Sequence, residues 1–428
     1  MISLRAMQAP SFTELCRVFS RIGFLSFGGP AGQIALMHRE VIDQREWVSE
    51  KEYLTALNFC MLLPGPEATQ LAIWVGWRLH GTKGGLAAGL LFVLPGAAVI
   101  MGLAMIYSAF GSVPLVEAAL LGIKAAVLAI VIEALLRVAR RALKTQFDWL
   151  TAAMAFIALF VFNLPFPVVI LVAAYTGLTR QANQATTQTA PLPRLREVLP
   201  TAGLWLAVWL LPLALMVLLL GPNNIFSAIA IFFSKLSVVT FGGAYAALSY
   251  AAQASVERLH WLSGPEMIDA LGLAETTPGP LILVNEFVGY LAAARATHSV
   301  WGGVAGAVIT LWMTFAPCFL WVLTGAPYIA ALNANPRLSS ALQAIMAAVV
   351  GVIMNLSVWF GLNVLCGKVE RHSGWFRPWL PDFSSLNFTA LALVIVAALV
   401  LLRLRWSVPR TLLLCGVLGL GLRLTNAI

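Results

Sequence analysis

Residues 24–66 and 238–280 align without a gap at a constant spacing of 214. The alignment sets Phe27, Gly28 and Gly29 on Phe241, Gly242 and Gly243, WVSEKE on WLSGPE, and Pro64, Gly65 and Pro66 on Pro278, Gly279 and Pro280. After a short insertion the match resumes. Gly84-Gly85 falls on Gly302-Gly303, FVLP at 92–95 on TFAP at 314–317, and IKAAVLAIV from Ile123 on IMAAVVGVI from Ile345. Apolar runs match one another easily, but Trp, Gly and Pro recurring in the same order make chance a poor rival. The chain is one unit written twice, and any fold must serve both copies.

Each copy is built for lipid. The 428 residues are 60% hydrophobic and 11% charged, against about 25% charged in a soluble domain. Runs at 85–107, 204–220, 302–323 and 386–402 approach or exceed the roughly 20 helical residues that cross a hydrocarbon core. The expected class is an all-α polytopic membrane protein. MISLRAMQAPSF carries neither an apolar h-region nor a small-residue cleavage site, so direct insertion into a plasma membrane is expected. The net charge of +9 is scattered over short loops rather than gathered on one face, which argues against a nucleic-acid partner. Five cysteines stand apart, with no CxxC pair and no histidine at ligand spacing, so no disulfide, metal or cofactor is expected.

The units fall at 1–178 for the first repeat, 179–200 for a polar linker, 201–221 for a connecting transmembrane helix and 222–428 for the second repeat. If each repeat crosses the bilayer an even number of times, the single connecting span inverts the second copy. Cytoplasmic loops collect Lys and Arg. First-copy loops with Arg39, Arg45 and Lys51, with Arg78 and Lys83, and with Arg137, Arg140, Arg141 and Lys144 fit the inside, whereas the turns near Ser112 and Asn163 carry no basic residue. The corresponding second-copy loops are poorer, and Arg403, Arg405 and Arg410 mark the opposite side as inside. Lys368, Arg371 and Arg377 fit this inverted-repeat topology least well.

Prolines cannot continue a helix, so FGG and PGP break segments too short to span on either side. Non-helical backbone at membrane depth survives only inside protein or beside a watery cavity; two re-entrant hairpins per copy are expected. A restarting helix offers unpaired N–H groups and the positive end of its dipole, a natural anion site. The expected substrate-binding set is Arg21, Ser26, Phe27, Gly28, Gly29, Gln33, Pro64, Gly65, Pro66 and Gln70, with Lys235, Thr240, Gly242, Gly243, Thr277, Pro278, Gly279 and Pro280. Glu67, Glu275 and Glu286 are coupling candidates, because a carboxyl group shielded from water can carry a proton.

Plainer readings stand beside these. FGG can serve close helix packing and PGP can be a structural kink. Arg21 can snorkel to the interface, and Glu67 can stabilise a helix start. Glu286 can pair with Arg295 or Lys235, Lys124 with Glu117 or Glu133, and Trp47 and Trp261 can be interfacial anchors.

Five segments carry a family resemblance: FLSFGGPAGQIALMHREVI, WVSEKEYLTALNFCMLLPGPEATQLAIWVG, GGLAAGLLFVLPG, TFGGAYAALSYAAQ and TTPGPLILVNEFVGY. Together they resemble bacterial chromate ion transporters of the long, two-domain type, over nearly the whole chain. The second copy departs at Ala244, where the first has Pro30. The resemblance implies a secondary carrier that exports chromate across the inner membrane and confers chromate resistance, with sulfate as a structural analogue and the lipid bilayer as its surroundings. A homodimer is compatible with it. A sulfate uptake or exchange carrier and an oxyanion channel are the alternatives. A chromate-reducing enzyme is disfavoured, since no flavin, haem or nucleotide motif is present.

Overall fold

The computed structural model describes residues 10–27, 29–111, 113–180, 195–241, 244–329, 336–372 and 374–425. Gly28, Gly242, Gly243 and most of the polar linker lie outside these residues. In the first copy α1 (Phe12–Leu25) and α2 (Gly29–His38) flank FGG, and α3 (Glu50–Leu62) and α4 (Glu67–Phe110) flank PGP. Then come α5 (Pro114–Ala142), α6 (Gln146–Phe160), α7 (Phe166–Arg180) and the connecting α8 (Leu195–Leu220). In the second copy α9 (Ile225–Val239) and α10 (Ala244–Gln253) flank FGG, α11 (Gly264–Glu275) and α12 (Val284–Thr297) flank PGP, and α13 (Val300–Gly325) and α14 (Pro336–Leu365) follow. A small hairpin of β1 (Val369–Arg371) and β2 (Trp379–Pro381) precedes α15 (Phe388–Ala398) and α16 (Val408–Leu424). Five helices among the described residues are long and apolar enough to cross a membrane. The protein is an all-α, multi-pass membrane protein.

Matched sequence gives matched local structure. Ser49 and Ser263 each cap a helix through a reciprocal box with Glu52 and Glu266, satisfying two helix-start donors at each site. A π-helical turn precedes each box, at Arg39–Asp43 and Ala254–Arg258. Left-handed backbone recurs at the same register, with φ of 52° at Glu46 and 51° at His260. In α4 the backbone turns sharply at His80 and Gly81; the second copy makes the same turn between α12 and α13, where His298 has φ of 50°. The two limbs of α4 then press together so closely that a Cβ on Gly76 would lie 2.2 Å from the carbonyl oxygen of Gly84. Gly289 and Gly306 play the same part between α12 and α13, as small residues do where membrane helices approach.

The segments beside the breaks are short. α1 has 14 residues and α3 has 13, or about 20 Å each at 1.5 Å per residue, against a core of about 30 Å. Each PGP segment folds back on itself. Arg78 meets Glu52 at 3.0 Å, and Arg295 pairs with Glu266, so each hairpin is clamped at its base by the glutamate of a capping box. Arg21 lies 3.8 Å from Glu40, which requires the chain to double back at the first FGG as well.

The copies exchange their long helices. α5 packs on α14, and then on α15 and α16 of the second copy, while α14 packs on α6 and α7 of the first. Backbone contact is close: a Cβ on Gly122 would stand 1.9 Å from the oxygen of Cys415, and one on Gly351 2.1 Å from that of Ala152. Two side-chain expectations are corrected here. Lys124 pairs with neither Glu117 nor Glu133 but with Asp269 of the second copy, at 2.9 Å; Glu133 is held by Arg137. Arg137, Arg140 and Arg141 occupy the last turns of α5 rather than a loop. Arg371, awkward for the loop topology, is paired with Glu257 and stacked over Trp379. Trp47 is buried within the protein, and Trp261 packs edge-on against Phe232.

Candidate functional site

The hairpin tips of opposite copies meet. The amide of Gly65 donates to the carbonyl of Thr240 at 2.8 Å, and the amide of Gly279 donates to the carbonyl of Ser26 at 3.0 Å. These four residues are two equivalent pairs, so each PGP tip docks on the FGG break of the other copy. Gly65 and Gly279 have φ of 114° and 90°, left-handed values that glycine tolerates and bulkier residues do not.

Beside this junction lies a cavity of about 100 Å³, lined among others by Pro30, Glu67, Arg137, Arg141, Ala244 and Tyr245. It draws on both FGG segments and the first PGP segment. Its chemistry is cationic at one wall, where Arg137 and Arg141 project from α5. The start of α4 lines the same cavity through Glu67; its N-cap residue, Pro66, offers no side-chain cap, and the Glu67 carboxyl engages its own backbone amide. Arg137 is already held by Glu133. Arg141 has no ion pair among the described residues and lies within electrostatic reach of Glu67. Arg141 also lines two larger neighbouring cavities, of about 600 and 1070 Å³, the first bounded by Thr55, Asn58, Lys144, Gln343 and Met346, the second by Arg140 and Arg405. A basic vestibule thus leads to the smaller chamber.

Tyr245 extends the chamber into the second copy. Its hydroxyl donates to the buried carboxylate of Glu275 at 3.1 Å, and a Cβ on Gly29 would come within 3.5 Å of that same oxygen. Glu67 and Glu275 therefore approach one chamber from opposite copies, directly and through Tyr245 respectively. Glu286 is buried elsewhere on α12, and its carboxyl oxygens have no hydrogen-bond partner among the described residues. It pairs with neither Arg295, which holds Glu266, nor Lys235, which is exposed.

Most of the expected polar donors are committed to backbone. Gln33 donates to the carbonyl of Gly279 at 2.6 Å and Gln70 to that of Pro64 at 2.7 Å, while Thr240 and Thr277 bond carbonyls within their own helices. They hold the tips in shape. Ser26 is buried, its hydroxyl without a partner among the described residues, and the amide of Phe27 bonds the carbonyl of Leu25. The second PGP segment is packed rather than cavity-lining: a Cβ on Gly96 would lie 2.3 Å from the oxygen of Pro278, and Pro280 leads into a 3-10 turn. Arg21 and Lys235, the duplicated cations, are exposed and do not line the chamber; the Arg21 side chain is 57% exposed. Arg137 and Arg141 supply the positive charge instead. No signal within the first copy marks them, since a basic cluster before a turn reads as a cytoplasmic loop.

The chromate transporter family model matches residues 13–178 and 227–420, one stretch in each copy. The chain belongs to this family. It is 34% identical over 349 residues to the chromate transport protein of Pseudomonas aeruginosa, covering 80% of this chain and 79% of that one. A probable chromate transport protein of Synechococcus elongatus is 27% identical over 380 residues, 85% of this chain and 88% of that protein. The chromate transport protein of Cupriavidus metallidurans is 27% identical over 356 residues, 81% and 82% of the two chains. No solved structure matches the chain. Membership of this transporter family supports chromate transport as the activity.

Proposed function

We propose that the chain is a secondary carrier that exports chromate from the cytoplasm, with the chamber at Glu67, Arg137, Arg141 and Tyr245 as its anion site. The observation that carries this reading is Arg141, a cation with no ion pair among the described residues, which lines three cavities and shares the smallest with Glu67 at the start of α4. Arg141 is exposed in the last turn of α5, open to an arriving anion, and a guanidinium fork suits a tetrahedral oxyanion. Cytoplasmic surfaces collect basic residues, and Arg137, Arg140, Arg141, Lys144 and Arg405 surround the larger cavities. This supports an opening toward the cytoplasm and an inverted second copy, with the crossed tip hydrogen bonds as the contact between antiparallel halves. An inside-negative potential favours exit of a dianion by about 4.6 kcal/mol per 100 mV. Discontinuous helices from inverted repeats meeting around a midplane site suit such a carrier.

Glu67 is the carboxyl group that shares the chamber with Arg137 and Arg141. A carboxylate beside two arginines competes with an oxyanion, so proton uptake by Glu67 or Glu275 couples binding to pH. The test is chromate uptake into inside-out membrane vesicles with an imposed voltage. Accumulation that rises with an interior-positive potential, returns chromate chemically unchanged and is competed by sulfate supports the reading. Uptake no greater than in vesicles lacking the protein overturns it.

A further inference from the structure

The two copies differ where their sequences place equivalent residues, and the difference falls on either side of the chamber. On the vestibule side, Thr55, Asn58 and Met61 of α3 and Gln343 and Met346 of α14 line the 600 Å³ cavity. The spacing of 214 carries Thr55 to Asp269, and the pairing of Ile123 with Ile345 carries Met346 to Lys124. On that other side the gap is shut. α11 packs along α5, the ammonium of Lys124 meets Asp269 at 2.9 Å, and the hydroxyl of Tyr107 donates to the second oxygen of Asp269 at 2.9 Å. Asp269 is 5% exposed, and Phe287 stands edge-on against the Tyr107 ring. Nearer the hairpin base, Glu266 and Arg295 pair as a second layer.

We propose that the Lys124–Asp269–Tyr107 cluster is the closed gate of a second pathway, and that Lys124 becomes the cation met by the departing oxyanion when α11 parts from α5. This rests on the anion-carrier reading. The equivalent positions in the other copy, Thr55 and Met346, line the larger cavity and carry no charge. Burying an ion pair costs desolvation that apolar side chains avoid, so a charged pair here suits a contact that opens to water in part of the cycle. The charges are also asymmetric in a useful way. The counterparts of Arg137 and Arg141 are Trp359 and Asn363, so the α11 side lacks the arginines of the vestibule and Lys124 replaces them. Opening that side while α3 closes on α14 exchanges the roles of the two copies, the motion that inverted repeats permit.

The test uses single cysteines, Gln343→Cys on the open side and Leu121→Cys at its counterpart, in full-length protein whose five native cysteines are serine. A membrane-impermeant thiol reagent is applied from each face of reconstituted vesicles, without substrate. The expected result is rapid labelling at position 343 and slow labelling at 121. Asp269→Asn then raises labelling at 121 about tenfold, the shift that about 1.4 kcal/mol gives, and lowers labelling at 343. The exchange of charges, Lys124→Asp with Asp269→Lys, returns both toward their starting rates. Tyr107→Phe gives a smaller shift in the same direction and serves if Asp269→Asn fails to insert. Unchanged labelling at 121, or a rise at 121 with no fall at 343, overturns the gate. Because labelling needs no substrate, reciprocal labelling without oxyanion flux in the unmodified carrier rejects the substrate reading and leaves the gate standing.

Discussion

The amide of Gly65 hydrogen-bonds the carbonyl of Thr240 at 2.8 Å, and the same bond is made with the copies exchanged, from Gly279 to Ser26. The breaks in the helices therefore complete one another across the two halves. Each tip satisfies a polar backbone group that lipid would leave unpaired, which is the condition for irregular backbone at membrane depth. The chamber beside the first junction takes in the start of α4 through Glu67, and the second junction is filled by Gly96 of α4.

Gly29 starts α2 with φ of 68°, a conformation that costs a β-branched residue heavily. Gly29→Val is expected to reduce transport tenfold or more through strain of about 1–3 kcal/mol at the tip, while membrane insertion is retained. Vesicle flux normalised to the amount of inserted protein checks this, and normal flux removes the first FGG from the site.

Glu67 lines the chamber with Arg137 and Arg141. Glu67→Gln removes the competing negative charge, so the KM for the oxyanion is expected to fall several-fold and the pH dependence of flux to flatten. Flux measured from pH 5.5 to 8.5 in both proteins decides this. An unchanged pH profile assigns coupling to another group, with Glu275→Gln the next variant.

At the base of the first hairpin, the hydroxyl of Ser49 and then Arg78 hold the Glu52 carboxyl below its ordinary value, against the opposing effect of partial burial. A carboxyl lowered in the folded state contributes stability above its unfolded value, near 4.3, and that contribution is lost as pH falls through the lowered value. Glu52→Gln keeps a side chain able to close the capping box but loses the charge that Arg78 meets, so stability at pH 7 is expected to fall by about 0.2–1 kcal/mol, as for an exposed ion pair. The difference should shrink between pH 7 and pH 3 as the carboxyl takes up its proton. Thermal unfolding in detergent at the two pH values measures it.

Much of this was legible in the sequence, and the reasons are local. Duplicated Gly and Pro at 64–66 and 278–280 mark breaks because backbone constraints act on neighbours. Ser49, Glu52, Ser263 and Glu266 were visible only as matched positions of WVSEKE and WLSGPE; their capping role comes from the structure. Arg141 was hidden because α5 continues through Ala142, and long helical side chains point back toward the helix start, which aims Arg141 at the chamber rather than at the following loop. The pairing of Lys124 with Asp269 depends on α5 packing against the second copy, a long-range contact that periodicity within one copy does not encode. Gln33 and Gln70 were candidate ligand donors on composition alone; their partners, the carbonyls of Gly279 and Pro64, exist only once the tips have docked.

Equilibrium binding of labelled chromate and sulfate to the purified protein in lipid nanodiscs tests the anion site most directly, comparing Arg141→Gln with Arg410→Gln, an exposed arginine outside the chamber lining. Loss of a charge-assisted hydrogen bond of about 1.5–3 kcal/mol is expected to weaken binding roughly ten- to hundredfold for Arg141→Gln and leave Arg410→Gln like the unmodified protein. Equal affinity in all three proteins would contradict the chamber as the site where the oxyanion is held.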